Sequence, residues 1–175
     1  KETDILLSFG EPIIKNKATV NLKKENAYIF NKGDISACEI SKEEWLLSLK
    51  IAALQENQAR SGNELGAPQI LWQYSINDRI PLMTVVLPKD YVKAKLITLL
   101  KSVKLLMDKG FYMQLLIIED SVEDYLDSLF NSTANIISQY NISGSIHHIK
   151  KGTIIKEHLK KIQALSFLYV SLDND

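Results

Sequence analysis

Hydrophobic and polar positions change their period along the chain, and each change predicts a different element. Over the first forty residues the apolar runs are short. Ile5-Leu6-Leu7-Ser8-Phe9 ends at Gly10, and Ala18-Thr19-Val20-Asn21-Leu22 alternates like a half-buried strand. Ala27-Tyr28-Ile29-Phe30 closes on the turn Asn31-Lys32-Gly33-Asp34. Runs of this length bounded by turn residues predict a small β-rich element over residues 1–40. The period then becomes helical. Ser41-Lys42-Glu43-Glu44 reads as a capping box, in which the Ser41 hydroxyl and the Glu44 carboxylate each satisfy an early backbone N–H. Leu46, Leu49 and Ala53 follow at helical spacing, widened by Leu47, Ile51 and Leu54, so a helix is expected to about Ala59. Arg60 to Pro68, with Gly62, Gly66 and Pro68, is the stretch with breakers dense enough for a boundary.

From Ile80 onward the pattern is regular. Leu82 to Leu87 is a near-continuous apolar run stopped by Pro88. Val92, Leu96, Leu99, Leu100, Val103, Leu106 and Met107 then form one helical face, ended by Gly110 in the position after the C-cap. Tyr112 to Ile118 is a second buried strand. Ser121-Val122-Glu123-Asp124 caps a helix with Leu126, Leu129, Phe130, Ile137 and Tyr140 along its stripe. A short third strand, Ser145 to Ile149, leads through Lys150-Lys151-Gly152-Thr153 into a last helix carrying Ile155, Leu159 and Ile162. Strands apolar on both faces that alternate with helices require a parallel sheet with right-handed crossovers. The expected fold class is therefore α/β: a three-layer βαβαβα unit over about residues 80–172, in a domain of residues 41–175 that begins with a helix.

Composition narrows the function. The chain has 175 residues, 46% hydrophobic, with 21 basic and 21 acidic side chains and a formal net charge of +0. A balanced charge gives no field for nucleic acid, so no nucleic-acid partner is expected. Arg60 and Arg79 are the only arginines, which offers little to phosphate-rich ligands. Cys38 is the single cysteine, which excludes a disulfide framework and a thiolate metal site and suits a reducing compartment, the cytoplasm. No apolar run reaches the roughly 20 residues of a membrane span. Asn131-Ser132-Thr133 and Asn141-Ile142-Ser143 match the glycosylation pattern, but without a secretory signal both read as chance. The chain starts at Lys1 and stops just after an apolar stretch, which predicts a fragment of a longer protein.

In open parallel sheets ligands sit beyond the carboxyl ends of the strands. Those positions are Pro88-Lys89-Asp90, Glu119-Asp120-Ser121 and Lys150-Lys151-Gly152. None opens a glycine-rich phosphate loop, so neither a dinucleotide fingerprint nor a P-loop is present. Glu119 and Asp120 are a candidate acid–base or metal pair, against the simpler reading that they offset the positive end of the following helix. His147 and His148 are neighbours on a strand; their side chains point to opposite faces and do not chelate one metal. His158 stands alone on a helix, Cys38 has no histidine near it in sequence, and the lysines at 89/93/95 and 156/160/161 read as solvated helix faces. Neither a metal nor a cofactor is expected.

The unusual segment is Leu71-Trp72-Gln73-Tyr74-Ser75-Ile76-Asn77-Asp78-Arg79-Ile80-Pro81, just ahead of the first core strand. Aromatic rings stack on sugar faces and Asn or Asp bonds hydroxyls, so Trp72, Tyr74, Asn77 and Asp78 are the candidate substrate-binding residues. The plainer reading is aromatic packing against the sheet. This segment resembles a motif of the cyclic β-1,2-glucan synthases and the phosphorylases of glycoside hydrolase family 94, of the form Gly-x-Ser-Gly-Leu-Trp-x-Tyr-Gly-Ile-Ser-Gly-Asp-x-Pro-Ile. Leu71, Trp72, Tyr74, Ile76, Asp78 and Pro81 fit it, with one position shifted between Asp78 and Pro81. The sequel is similar too: a strand, a long helix ending in Lys109-Gly110, an apolar strand ending at Glu119, then Tyr125-Leu126 and a final helix. The chain departs from the motif where Pro68-Gln69-Ile70, Ser75 and Asn77 stand in place of its small residues, and residues 1–40 do not match.

The resemblance implies an accessory domain whose parent keeps its catalytic carboxylate elsewhere. The expectation is then a noncatalytic α/β domain of a β-glucan phosphorylase or glucosyltransferase. It would pack against the other domains of the parent and border the site of a β-glucan oligosaccharide. The competing reading is a stand-alone α/β regulatory or protein-interaction domain with no sugar contact. A third is a small enzyme built on Glu119 and Asp120.

Overall fold

The computed structural model describes residues 41–61, 69–120, 128–140, 142 and 144–173, with backbone alone at 58–61. The β-rich element expected over residues 1–40, Cys38, the breaker-rich stretch 62–68 and the helix cap at Ser121-Val122-Glu123-Asp124 lie outside these residues.

Helix α1 spans Lys42–Ser61. It opens on the expected box: the Glu44 N–H donates to Ser41 Oγ at 3.1 Å, and the Ser41 N–H donates to Glu44 Oε2 at 2.9 Å. Of the expected face, Leu47, Ile51 and Ala53 are buried, Leu49 and Leu54 pack against the core, and Leu46 is exposed. The neighbouring helix α3, Lys93–Asp108, approaches along two serines. The Ser48 hydroxyl reaches the Ser102 carbonyl at 3.2 Å, and the Ser102 hydroxyl reaches the Glu44 carbonyl at 2.9 Å. Small hydroxyls let the backbones close up while keeping their own polar atoms satisfied. Lys101 Nζ adds an ion pair to the buried Glu44 at 3.2 Å.

The sheet has four parallel strands in the order β3-β2-β1-β4: β1 Leu82–Leu87, β2 Gln114–Glu119, β3 Ile146–Lys150 and β4 Leu168–Ser171. The α/β class with a parallel sheet is as expected. The expected βαβαβα unit gains a seventh element, because Leu168–Ser171 pairs with β1 from Met83↔Leu168 to Val86↔Ser171. Four residues after a helix carry little periodic signal, and the pairing that makes them a strand lies far away in sequence.

Side-chain alternation along the strands splits the core in two. Leu115 and Ile117 of β2 face a cluster shared with α1 and α3, against which Leu129, Ile136 and Ile137 of α4 (Ser128–Ser138) also pack. Leu116 and Ile118 face a second cluster with Ile162 and Leu165 of α5, which spans Lys156–Leu165. Helix layers on both faces explain why the central strands are apolar throughout. The α3 C-terminus closes as a Schellman turn. Gly110, at φ 89°, donates to the Met107 carbonyl, and the Phe111 N–H donates to Leu106. Among the described residues no helix is long and apolar enough to cross a membrane.

Candidate functional site: the Trp72 turn

The segment ahead of β1 is a structured turn lying in the α5 layer. Gln69–Trp72 forms a single helical turn, α2. The chain then reverses tightly: the N–H groups of Tyr74 and Ile76 both donate to the Leu71 carbonyl at 3.0 Å, and Ser75 N–H donates to Trp72 at 3.0 Å. The reversal requires a left-handed residue, and Ser75 supplies it at φ 60°. The turn thus forms without a glycine at this position. Leu71 and Ile76 point inward and are buried against Leu116, Ile118 and Ile162.

The four candidate site residues do not converge on one point. Asn77 is stapled to the sheet by Gln114, the first residue of β2. The Asn77 N–H donates to Gln114 Oε1 at 3.0 Å, and its carbonyl accepts from Gln114 Nε2 at 2.7 Å. The Asn77 side-chain oxygen accepts the Arg79 N–H at 2.9 Å, an Asx turn. Tyr74 reaches away to His158 on α5, with its hydroxyl 2.9 Å from Nδ1 and the rings edge-on. Asp78 Oδ1 accepts the indole N–H of Trp72 at 3.2 Å. The structure therefore brings Trp72 and Asp78 together, directs the Tyr74 hydroxyl to His158, and ties the Asn77 backbone to Gln114 while the Asn77 residue stays exposed.

His158 and Gln114 are partners that reasoning along the sequence did not find. No local pattern joins positions 84 or 37 residues apart. Open to solvent are the Trp72 ring, 59% exposed with its polar edge tied back, and also Asn77 and Arg79. Gln69, Gln73 and Ser75 beside it are exposed as well.

The carboxyl ends of the strands hold a second polar cluster. Glu119 is fully buried, and its Oε2 lies 2.9 Å from His148 Nε2, while Oε1 has no hydrogen-bond partner. The His148 ring stacks on Phe130 at 3.9 Å, and Lys150 Nζ lies 5.3 Å from the centre of the Phe130 ring. Burial pushes the His148 imidazole below its usual range, against the upward pull of the Glu119 hydrogen bond and charge. Burial lowers His147 as well; its Nε2 lies 3.2 Å from Gln114 Oε1 on the opposite face of the sheet, as expected for adjacent strand residues.

Glu119 and Asp120 diverge. Asp120 turns to the surface and pairs with Lys151 at 2.6 Å. Tyr91 donates to Thr133 at 2.8 Å, since the Thr133 hydroxyl proton goes to the Leu129 carbonyl. Burial raises the Tyr91 phenol against that hydrogen bond, and Glu119 adds to the rise. This cluster is turned into the protein, whereas the Trp72 turn is turned out. Comparison with protein-family models and with curated proteins finds no match.

Proposed function

We propose that the chain is a noncatalytic α/β domain of a larger carbohydrate-active enzyme, a β-glucan phosphorylase or glucosyltransferase. In this reading it packs against the other domains of that enzyme and presents the Trp72 turn beside the glucan path. The observation that carries the reading is an exposed indole on an over-determined turn. Leu71 and Ile76 anchor the turn from below, Gln114 and His158 hold it from the sides, and Ser75 accepts a strained backbone to complete it. A turn fixed from so many directions is expected to present something, and the large group it presents is Trp72. The motif positions divide along the same line, with Leu71 and Ile76 as anchors and Trp72 as the displayed residue.

The experiment is a substitution in the full reading frame that carries this chain. Trp72→Ala, an exposed position, is expected to leave folding intact and to impair glucan synthesis or phosphorolysis through a raised KM. Unchanged kinetics, or a reading frame that contains no further catalytic domain, would favour the stand-alone interaction domain instead.

A further inference from the structure

We infer that Trp72, with the carboxamides of Gln69 and Gln73 at its rim, is a stacking platform for an uncharged pyranose ring of an oligosaccharide. This deepens the proposed function by giving the displayed turn a ligand and a different rim from the one the sequence pattern points to. The Tyr74 hydroxyl is engaged by His158, the Asn77 backbone by Gln114 and the Asn77 side-chain oxygen by the Arg79 N–H, so these atoms are already partnered away from the indole. The groups left around Trp72 are others. Gln69 lies three residues before Trp72 in the same helical turn, which places both on one side of it. Gln73 follows directly, and both glutamines are exposed.

The chemistry of this face selects the ligand. Asp78 holds the indole N–H, so the ring offers solvent its apolar face rather than its donor. A protein interface needs a cluster of apolar side chains at its centre. Every other exposed residue between 69 and 79 is polar: Gln69, Gln73, Ser75, Asn77 and Arg79. One aromatic face framed by neutral amides instead matches a pyranose, which has an apolar C–H face and a rim of hydroxyls that both donate and accept. Each glutamine amide supplies two donors and an acceptor to such a rim. The turn is already locked, so binding orders little backbone.

The test is a nuclear magnetic resonance titration of the 175-residue chain with β-1,2-linked glucooligosaccharides, with β-1,4-linked ones as a second arm. The two indole N–H signals, Trp45 and Trp72, are separate reporters. The expected result is a saturable shift of the Trp72 indole and of the Gln69 and Gln73 side-chain amides, with Trp45 unmoved. Trp72→Ala abolishes the amide shifts, and Gln69→Ala or Gln73→Ala each weakens binding by about threefold to tenfold, the loss of one neutral hydrogen bond.

An absence of shifts at sugar concentrations about tenfold above a millimolar dissociation constant overturns the inference. So does a Trp72 shift that follows protein concentration and ignores sugar, because the face then pairs with a second copy. If the sugar titration fails but Trp72→Ala still impairs the full enzyme, the stacking inference falls while the accessory-domain reading stands. Saturable binding by a chain whose reading frame holds no catalytic domain does the opposite: the stacking platform stands and the accessory-domain reading falls.

Discussion

Replacing Ser75 by glycine removes a Cβ from the one non-glycine residue at positive φ among the described residues. At φ 60° an L side chain crowds the following carbonyl, which costs roughly 1–2 kcal/mol. Glycine relieves that crowding but loses more freedom on folding, an opposing effect of about 0.5–1 kcal/mol. Ser75 is exposed, and none of the turn's backbone hydrogen bonds uses its hydroxyl, so packing adds little to either side. The net expectation for Ser75→Gly is a stabilisation of about 0.5–1 kcal/mol, or a Tm increase of roughly 1–4 °C for a chain of this size. Urea denaturation followed by circular dichroism reads it as a raised midpoint at constant slope. Ser75→Val, whose branched side chain tolerates the left-handed region least, should lower the midpoint. A Ser75→Gly variant less stable than the parent, with Ser75→Val unchanged, would refute the idea that this turn stores backbone strain.

Two further perturbations probe the site and its frame. Gln114→Ala leaves the Asn77 N–H and carbonyl without their side-chain partner and should cost about 1–3 kcal/mol, read in the same denaturation assay; a loss below about 0.5 kcal/mol would mean that water replaces the staple. His147 and His148 are both held below their usual value of 6.5, so protonating them is harder in the fold than in the unfolded chain. Their contribution to stability is therefore fully present above pH 6.5 and is lost as pH falls through the folded values. Imidazole titrations should show both midpoints below 6.5, and stability should decline on acidification; midpoints above 6.5 would reverse the sign.

The fold was legible where its determinants are local. The Ser41–Glu44 box, the apolar stripe from Leu96 to Leu106 and the stop at Gly110 each depend on neighbours within a turn or two, and each stands as the pattern implies. The opposed directions of His147 and His148 follow from strand alternation alone. The missed features are non-local. β4 becomes a strand by pairing with β1, and Ser48 of α1 meets Ser102 on a helix far along the chain.

The same division runs through the candidate site. Composition marks the Trp72 segment as unusual, but it does not reveal that Gln114 holds the Asn77 backbone and His158 the Tyr74 hydroxyl. That pairing moves the open face to Trp72 and its glutamine neighbours. Ser75 shows that the left-handed position of this turn does not require a glycine.

The proposed accessory role requires that this chain carry no glucan chemistry of its own. Its most direct test is to incubate the purified 175-residue chain with β-glucan and inorganic phosphate, and separately with an activated glucosyl donor, and to follow released glucose 1-phosphate or extended glucan. The account predicts no turnover from the chain alone under conditions in which the full reading frame is active. Turnover by the isolated chain that is abolished by Glu119→Gln would contradict it, and would place the chemistry at the buried pair with His148.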